Sequence, residues 1–130
     1  LVSKNHLQQR VVFAGNQTDV VPWLHALDVF ALPSYGNEGV PQALVQAMLA
    51  GLPCVTTNVG SIPVAAIHEK TALVVPAEDS PALKNALEQL LANPDLARRL
   101  GDEARRHCAA NFSYQGMLEK MERIYLQVLR

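Results

Sequence analysis

A chain of 130 residues is long enough to bury one real core as a single domain. Hydrophobic residues make up 49% and charged residues 18%, an ordinary globular balance, and a net charge of −1 leaves no electrostatic footprint for nucleic acid. No apolar run approaches the roughly 18–20 residues of a membrane span, and the opening LVSKNHLQQR lacks a secretory signal's apolar stretch and cleavage site, so the chain reads as cytoplasmic.

Val11-Val12-Phe13-Ala14, closed by Gly15, has the composition of a buried parallel strand. Asn16 to Asp19 offers turn and N-cap chemistry, and Val20 to Leu27 reads as a short helix with Pro22 in its first turn. Val29 to Leu32 is a second strand, stopped by Pro33-Ser34. A helix follows from Pro41 to Ala50, with Gly51 as its C-cap. Pro53 to Thr57 is the third strand, Pro63 to Ile67 a short helix and Ala72 to Val75 the fourth strand.

Beyond Pro76 the pattern turns helical. Ser80 caps a helix opened by Pro81 that carries Leu83, Leu87, Leu90 and Leu91 on one stripe. A second helix runs from about Pro94 to Ala110. Ser113 caps a third, to about Leu129, expected to bury Met117, Met121, Ile124 and Leu126 or Val128. Strands alternating with helices predict an α/β domain over residues 1–130. The sheet is expected to be a partial Rossmann-like parallel sheet of about four strands, followed by a C-terminal run of three helices.

Cys54 and Cys108 read as free, buried or semi-buried thiols of a reducing compartment. His6, His25, His68 and His107 show no paired metal-ligand spacing, so no metal site is expected. Arg98, Arg99, Arg105 and Arg106 read as a solvated helix face.

The segment from Pro33 to Val55, PSYGNEGVPQALVQAMLAGLPCV, carries the chemistry. A strand end leads into a polar loop holding Glu38, then a helix start that offers unpaired N–H groups and a partial positive charge to an anion. Val40, Ala43, Leu44, Ala47 and Met48 make one apolar face of that helix, and Val45 and Leu49 lie opposite, so it is expected to be buried on most sides. Gln42 and Gln46 are its polar residues, four apart on one face, and need partners there. Glu38 also reads as a solvated loop acid or an N-terminal helix acid, and Gly60-Ser61-Ile62-Pro63 reads equally as a site-lining loop or a plain turn.

Four segments in order carry a wider likeness: VVFAGNQTDVVPWLHALDVFALPS, NEGVPQALVQAMLAGLPCVTTNVGSIPVAAI, TALVVPAEDSPALKNALEQLLANPDLARRLGDEARRH and FSYQGMLEKMERIYLQVLR. Over nearly all of residues 10–130 the chain resembles the C-terminal, donor-binding part of a family 4 glycosyltransferase of GT-B fold, the "glycosyl transferases group 1" type. The resemblance implies transfer of a sugar from a nucleotide-sugar to a glycan or lipid-linked acceptor. Configuration is retained, no metal or other cofactor takes part, and bacterial polysaccharide or lipopolysaccharide assembly is the expected setting.

The family's donor signature is two glutamates separated by seven residues. Glu38 matches the first and Gln46 stands at the second. The resemblance therefore implies that Glu38 contacts the donor sugar. The backbones of Gly39, Val40 and Gln42 serve sugar and phosphates, since Pro41 has no N–H, and Gln46 holds the ribose. Eight residues at about 1.5 Å rise span at most ~12 Å, about what a diphosphate needs between hexose and ribose. An amide at position 46 still bonds a diol but loses a charge-assisted bond, a difference on the order of 1 kcal/mol.

The resemblance also implies a first strand without its usual neighbours and an acceptor domain outside these residues. The expectations are no turnover by the 130-residue chain alone, self-association through the first strand, and a full-length protein at the inner face of the membrane. A non-catalytic nucleotide-sugar-binding or docking subunit, acting with a separate partner chain, is the alternative.

Overall fold

The computed structural model describes residues 1–129. A 3-10 turn at Ser3–Asn5 precedes α1, Val21–His25, and β1, Phe30–Leu32. Then come α2, Gln42–Leu49; β2, Cys54–Thr57; α3, Ile62–Ala65; and β3, Leu73–Val75. Three helices finish the chain: α4, Ser80–Ala92; α5, Pro94–Asn111; and α6, Tyr114–Val128.

Among the described residues the strands form one parallel sheet in the order β1-β2-β3, with Phe30 opposite Cys54 and Val55 opposite Leu73. Successive side chains of β2 leave opposite faces of the sheet. Cys54 joins a core with Leu44, Met48 and Ile62, while Val55 joins a second core with Leu73, Leu90 and Leu100. Both faces are thus covered, as a parallel sheet requires, and all four residues of β2 are buried.

The sheet has one strand fewer than the sequence pattern suggests. Val11 to Ala14 forms no strand, and Val12 and Phe13 are each 82% exposed. A strand exists only through a ladder with a neighbour, and among the described residues none pairs with this segment.

Helix α2 is as apolar as expected but less enclosed. Leu44, Ala47 and Met48 are buried, whereas Ala43 and Leu49 are exposed. Its end is a Schellman arrangement: Gly51, at φ +80°, donates to the Met48 carbonyl and Leu52 donates to that of Ala47. Helix α5 packs directly on this corner. A Cβ at Gly101 would lie 2.1 Å from the Gly51 carbonyl oxygen.

Two further expectations need correction. Asp79, not Ser80, caps α4, its carboxylate accepting from the Ala82 N–H at 2.8 Å. Ser80 is already helical, and an N-cap must precede the first turn to reach its third amide. The apolar stripe of α6 is not buried: Met117, Met121, Ile124, Leu126 and Val128 are all exposed. Periodicity sets the stripe on one face but does not supply a surface for it to cover. The stripe of α4 is buried at Leu90 and partly at Leu83 and Leu87, while Leu91 is exposed.

Candidate functional site at the carboxyl end of the sheet

Pro33 has no N–H, so it ends β1. Side chains of β2 tie down the last residue of β1 and the chain just beyond it. The Thr56 hydroxyl donates to the Leu32 carbonyl at 2.9 Å, and the buried Thr57 hydroxyl donates to the Ser34 carbonyl at 2.6 Å. Ser34 in turn donates from its hydroxyl to Glu38 Oε1 at 2.9 Å. The Glu38 backbone is fixed from another side. Ser61 N–H donates to its carbonyl at 2.9 Å, and Gly60, at φ +54°, leaves so little room that a Cβ would lie 2.1 Å from that oxygen.

The loop then opens toward α2. No heavy atom beyond the chain neighbours lies within 4 Å of a Cβ built at Gly36 or Gly39, and none of the backbone N–H groups from Gly36 to Val40 donates to an acceptor among the described residues. Pro41, at ψ 125°, is the N-cap residue rather than a first-turn residue, and no side chain caps the helix. By contrast α4, α5 and α6 are capped by Asp79, Asn93 and Ser113. The amides at the start of α2 therefore lack an intramolecular acceptor and carry the positive end of the helix dipole.

The residues singled out from the sequence fall into two groups. Glu38, Gly39 and Gln42 are exposed and Val40 is half-buried, packed against the core below the loop. Gln46, one turn beyond Gln42, is half-buried and lines a pocket of about 410 Å³ with Gln17, Trp23, Leu24, Leu27 and Phe30 among others. Glu38 does not line that pocket. The helix start lies between the two in sequence, with an acid on one side and an apolar pocket on the other. Ser34, Thr57 and Gly60 were not singled out as supports of Glu38. The GSIP wording was the one signal that could have found Gly60, and nothing in sequence spacing links Thr57 to Ser34, 23 positions apart.

The cysteines stand apart from this site. Both are buried and free, and burial pushes the Cys54 thiol up to about 12, with the nearby Cys108 charge adding to it, and the Cys108 thiol up to about 11.

The profile of the family described as "Glycosyl transferases group 1" matches residues 1–93. The chain belongs to the group 1 glycosyl transferases. N-acetyl-alpha-D-glucosaminyl L-malate synthase of Bacillus anthracis is 33% identical over 130 residues, all of this chain and 34% of its own length. Sucrose-phosphate synthase of Thermosynechococcus elongatus is 34% identical and superposes with a TM-score of 0.91, covering 98% of this chain and 32% of that one. Anabaena HepE, solved in complex with UDP-glucose, superposes with a TM-score of 0.92 over 97% of this chain and 35% of its own; at 20% identity it speaks for the fold alone. This group 1 glycosyl transferase chain spans about a third of the length of these relatives and corresponds to their C-terminal portion. Its three-stranded parallel sheet and helices match the C-terminal domain of the GT-B fold.

Proposed function

We propose that the chain is the donor-binding portion of a retaining glycosyltransferase, which moves a sugar from a nucleotide-sugar to a glycan or lipid-linked acceptor. The observation that carries the reading is the uncapped start of α2, set in sequence between the braced Glu38 carboxylate and the Gln46 pocket. An anion at that helix start satisfies amides that no acceptor among the described residues satisfies. A diphosphate seated there directs its two ends to different chemistry. The nucleoside enters the pocket beside Trp23, where an aromatic ring and apolar walls suit a base. The Gln46 amide bonds the ribose diol. The sugar lies toward Glu38, whose carboxylate accepts from its hydroxyls. Gly39, Val40 and Gln42 supply backbone N–H groups to sugar and phosphates.

Glu38 orients the donor rather than attacking it, and stabilisation of the leaving diphosphate drives the reaction. The helix dipole supplies part of that field. No Lys or Arg stands between Pro33 and Met48 to supply the rest. The donor is a substrate, and the reading needs no separate cofactor. The acceptor is read as a component of bacterial polysaccharide or lipopolysaccharide assembly, handled in the cytoplasm at the inner face of the membrane. No helix among the described residues is long and apolar enough to cross a membrane.

Calorimetric titration of the full-length protein with nucleoside diphosphates and their sugar conjugates tests this. Gln46→Ala and Trp23→Ala are each expected to weaken nucleoside diphosphate binding about tenfold, the size of one lost polar or stacking contact. Glu38→Ala is expected to spare that binding and remove the extra affinity conferred by the sugar. Nucleoside diphosphate affinity that both pocket variants leave unchanged would refute the placement.

A further inference from the structure

We propose that Ser34 is a positioning residue for Glu38, and that Thr57 holds Ser34 in the conformation that allows it. The inference rests on the reading of Glu38 as the donor-sugar contact and adds how its carboxylate is aimed.

Glu38 is exposed, on a loop with open space around the glycines on both sides. A free glutamate there samples many rotamers and loses that freedom when a sugar binds. Two anchors prevent this. The backbone is clamped by the segment after β2, through the Ser61 N–H and the close approach of Gly60. The side chain is held by the Ser34 hydroxyl at 2.9 Å from Oε1, a charge-assisted bond that leaves Oε2 free for sugar hydroxyls.

Ser34 itself lies beyond the end of β1, where Pro33 has cut the ladder. Its backbone would be free to turn there but for the bond from Thr57 Oγ1 to its carbonyl. Thr57 is 2% exposed, so its end of this bond is shielded from water. The carboxyl end of β2 thus governs both anchors, and the carboxylate is set before the donor arrives.

The test compares nucleoside diphosphate and nucleotide-sugar binding to the full-length protein, with nucleoside diphosphate affinity as the control for folding. Ser34→Ala is expected to reduce the sugar-dependent gain in affinity about threefold to tenfold, the range of one solvent-exposed hydrogen bond. Ser34→Thr, which keeps the hydroxyl, restores it. Thr57→Val acts like Ser34→Ala, and Thr57→Ser does not. In a Glu38→Ala background, Ser34→Ala adds no further loss, because Ser34 acts through Glu38.

Other outcomes overturn the proposal in distinguishable ways. If Glu38→Ala loses the gain and Ser34→Ala keeps it, the positioning role fails and the reading of Glu38 stands. A Ser34→Ala loss that persists without Glu38, or a parallel fall in nucleoside diphosphate affinity, marks a general structural role instead. Loss with Ser34→Ala but none with Thr57→Val removes the Thr57 part. If Glu38→Ala itself changes nothing, the underlying reading of Glu38 fails as well.

Discussion

A methyl group at Gly60 would meet the Glu38 carbonyl oxygen at 2.1 Å, in a backbone already at φ +54°. Neither the contact nor the conformation leaves room for a side chain, and the atom in the way is backbone that cannot swing aside. Gly60→Ala is therefore expected to destabilise the protein by about 1–3 kcal/mol and to weaken nucleotide-sugar binding by shifting the Glu38 loop. Gly39→Ala is the contrast. Its Cβ meets open space, so stability is expected to change by less than about 0.5 kcal/mol. Thermal unfolding with donor titration separates the two. At this scale the sequence was a partial guide. Glu38 and Gln46 stood out through a polar residue before and within an apolar helix. That Glu38 is braced while Gln46 lines a pocket without it could not be read, since both facts depend on segments far away in sequence.

Local rules located most of the elements. Proline stands in the first turns of α4 and α5, and Ser113 caps α6 through the expected side-chain acceptance, as Asn93 also does for α5. The capping of α4 gives a sharp test, because adjacent residues compete for one role. Asp79→Ala removes the acceptor for the Ala82 N–H and is expected to cost about 1 kcal/mol, whereas Ser80→Ala should cost less than about 0.5 kcal/mol. Urea unfolding of the two variants reads the difference directly. Two elements escaped local rules for a shared reason. Val11 to Ala14 has strand composition and α6 has a helical apolar stripe, yet each needs a second surface to be paired or buried. Pattern records what a segment offers, not whether a neighbour answers it.

Across the whole molecule, two thiols from distant parts of the chain meet in one core beside Met48, with Cys108 Sγ 3.7 Å from the methionine sulfur. Burial raises both above the ordinary value of 9.0, to about 12 for Cys54 and about 11 for Cys108. The unfolded thiols release protons above about 9 while the folded ones keep theirs, so the unfolded state binds fewer protons and stability falls as pH rises from about 9 toward 11. Below 9 the two states hold the same protons and the thiols contribute no slope. A Cys54→Ala, Cys108→Ala double variant is expected to start less stable through lost packing, yet to lose less stability between pH 8 and 10.5 than the parent. Denaturant midpoints at the two pH values check it, and an equal alkaline loss in both proteins would count against burial as the cause.

The sequence by itself determined the α/β class, the order of helices after the last strand, the loop-helix segment proposed to hold the donor, and the family resemblance that the profile match bears out. The first three follow from composition, period or turn chemistry over a few neighbouring residues, and the resemblance follows from four segments matched in order along the chain. Tertiary structure alone decided which apolar segments found a partner, that Thr57 reaches Ser34, that Gly60 presses on Glu38, and that Gln46 shares a pocket with Trp23. Those are contacts across the sheet and between loops. Their energy depends on distances that no local pattern encodes.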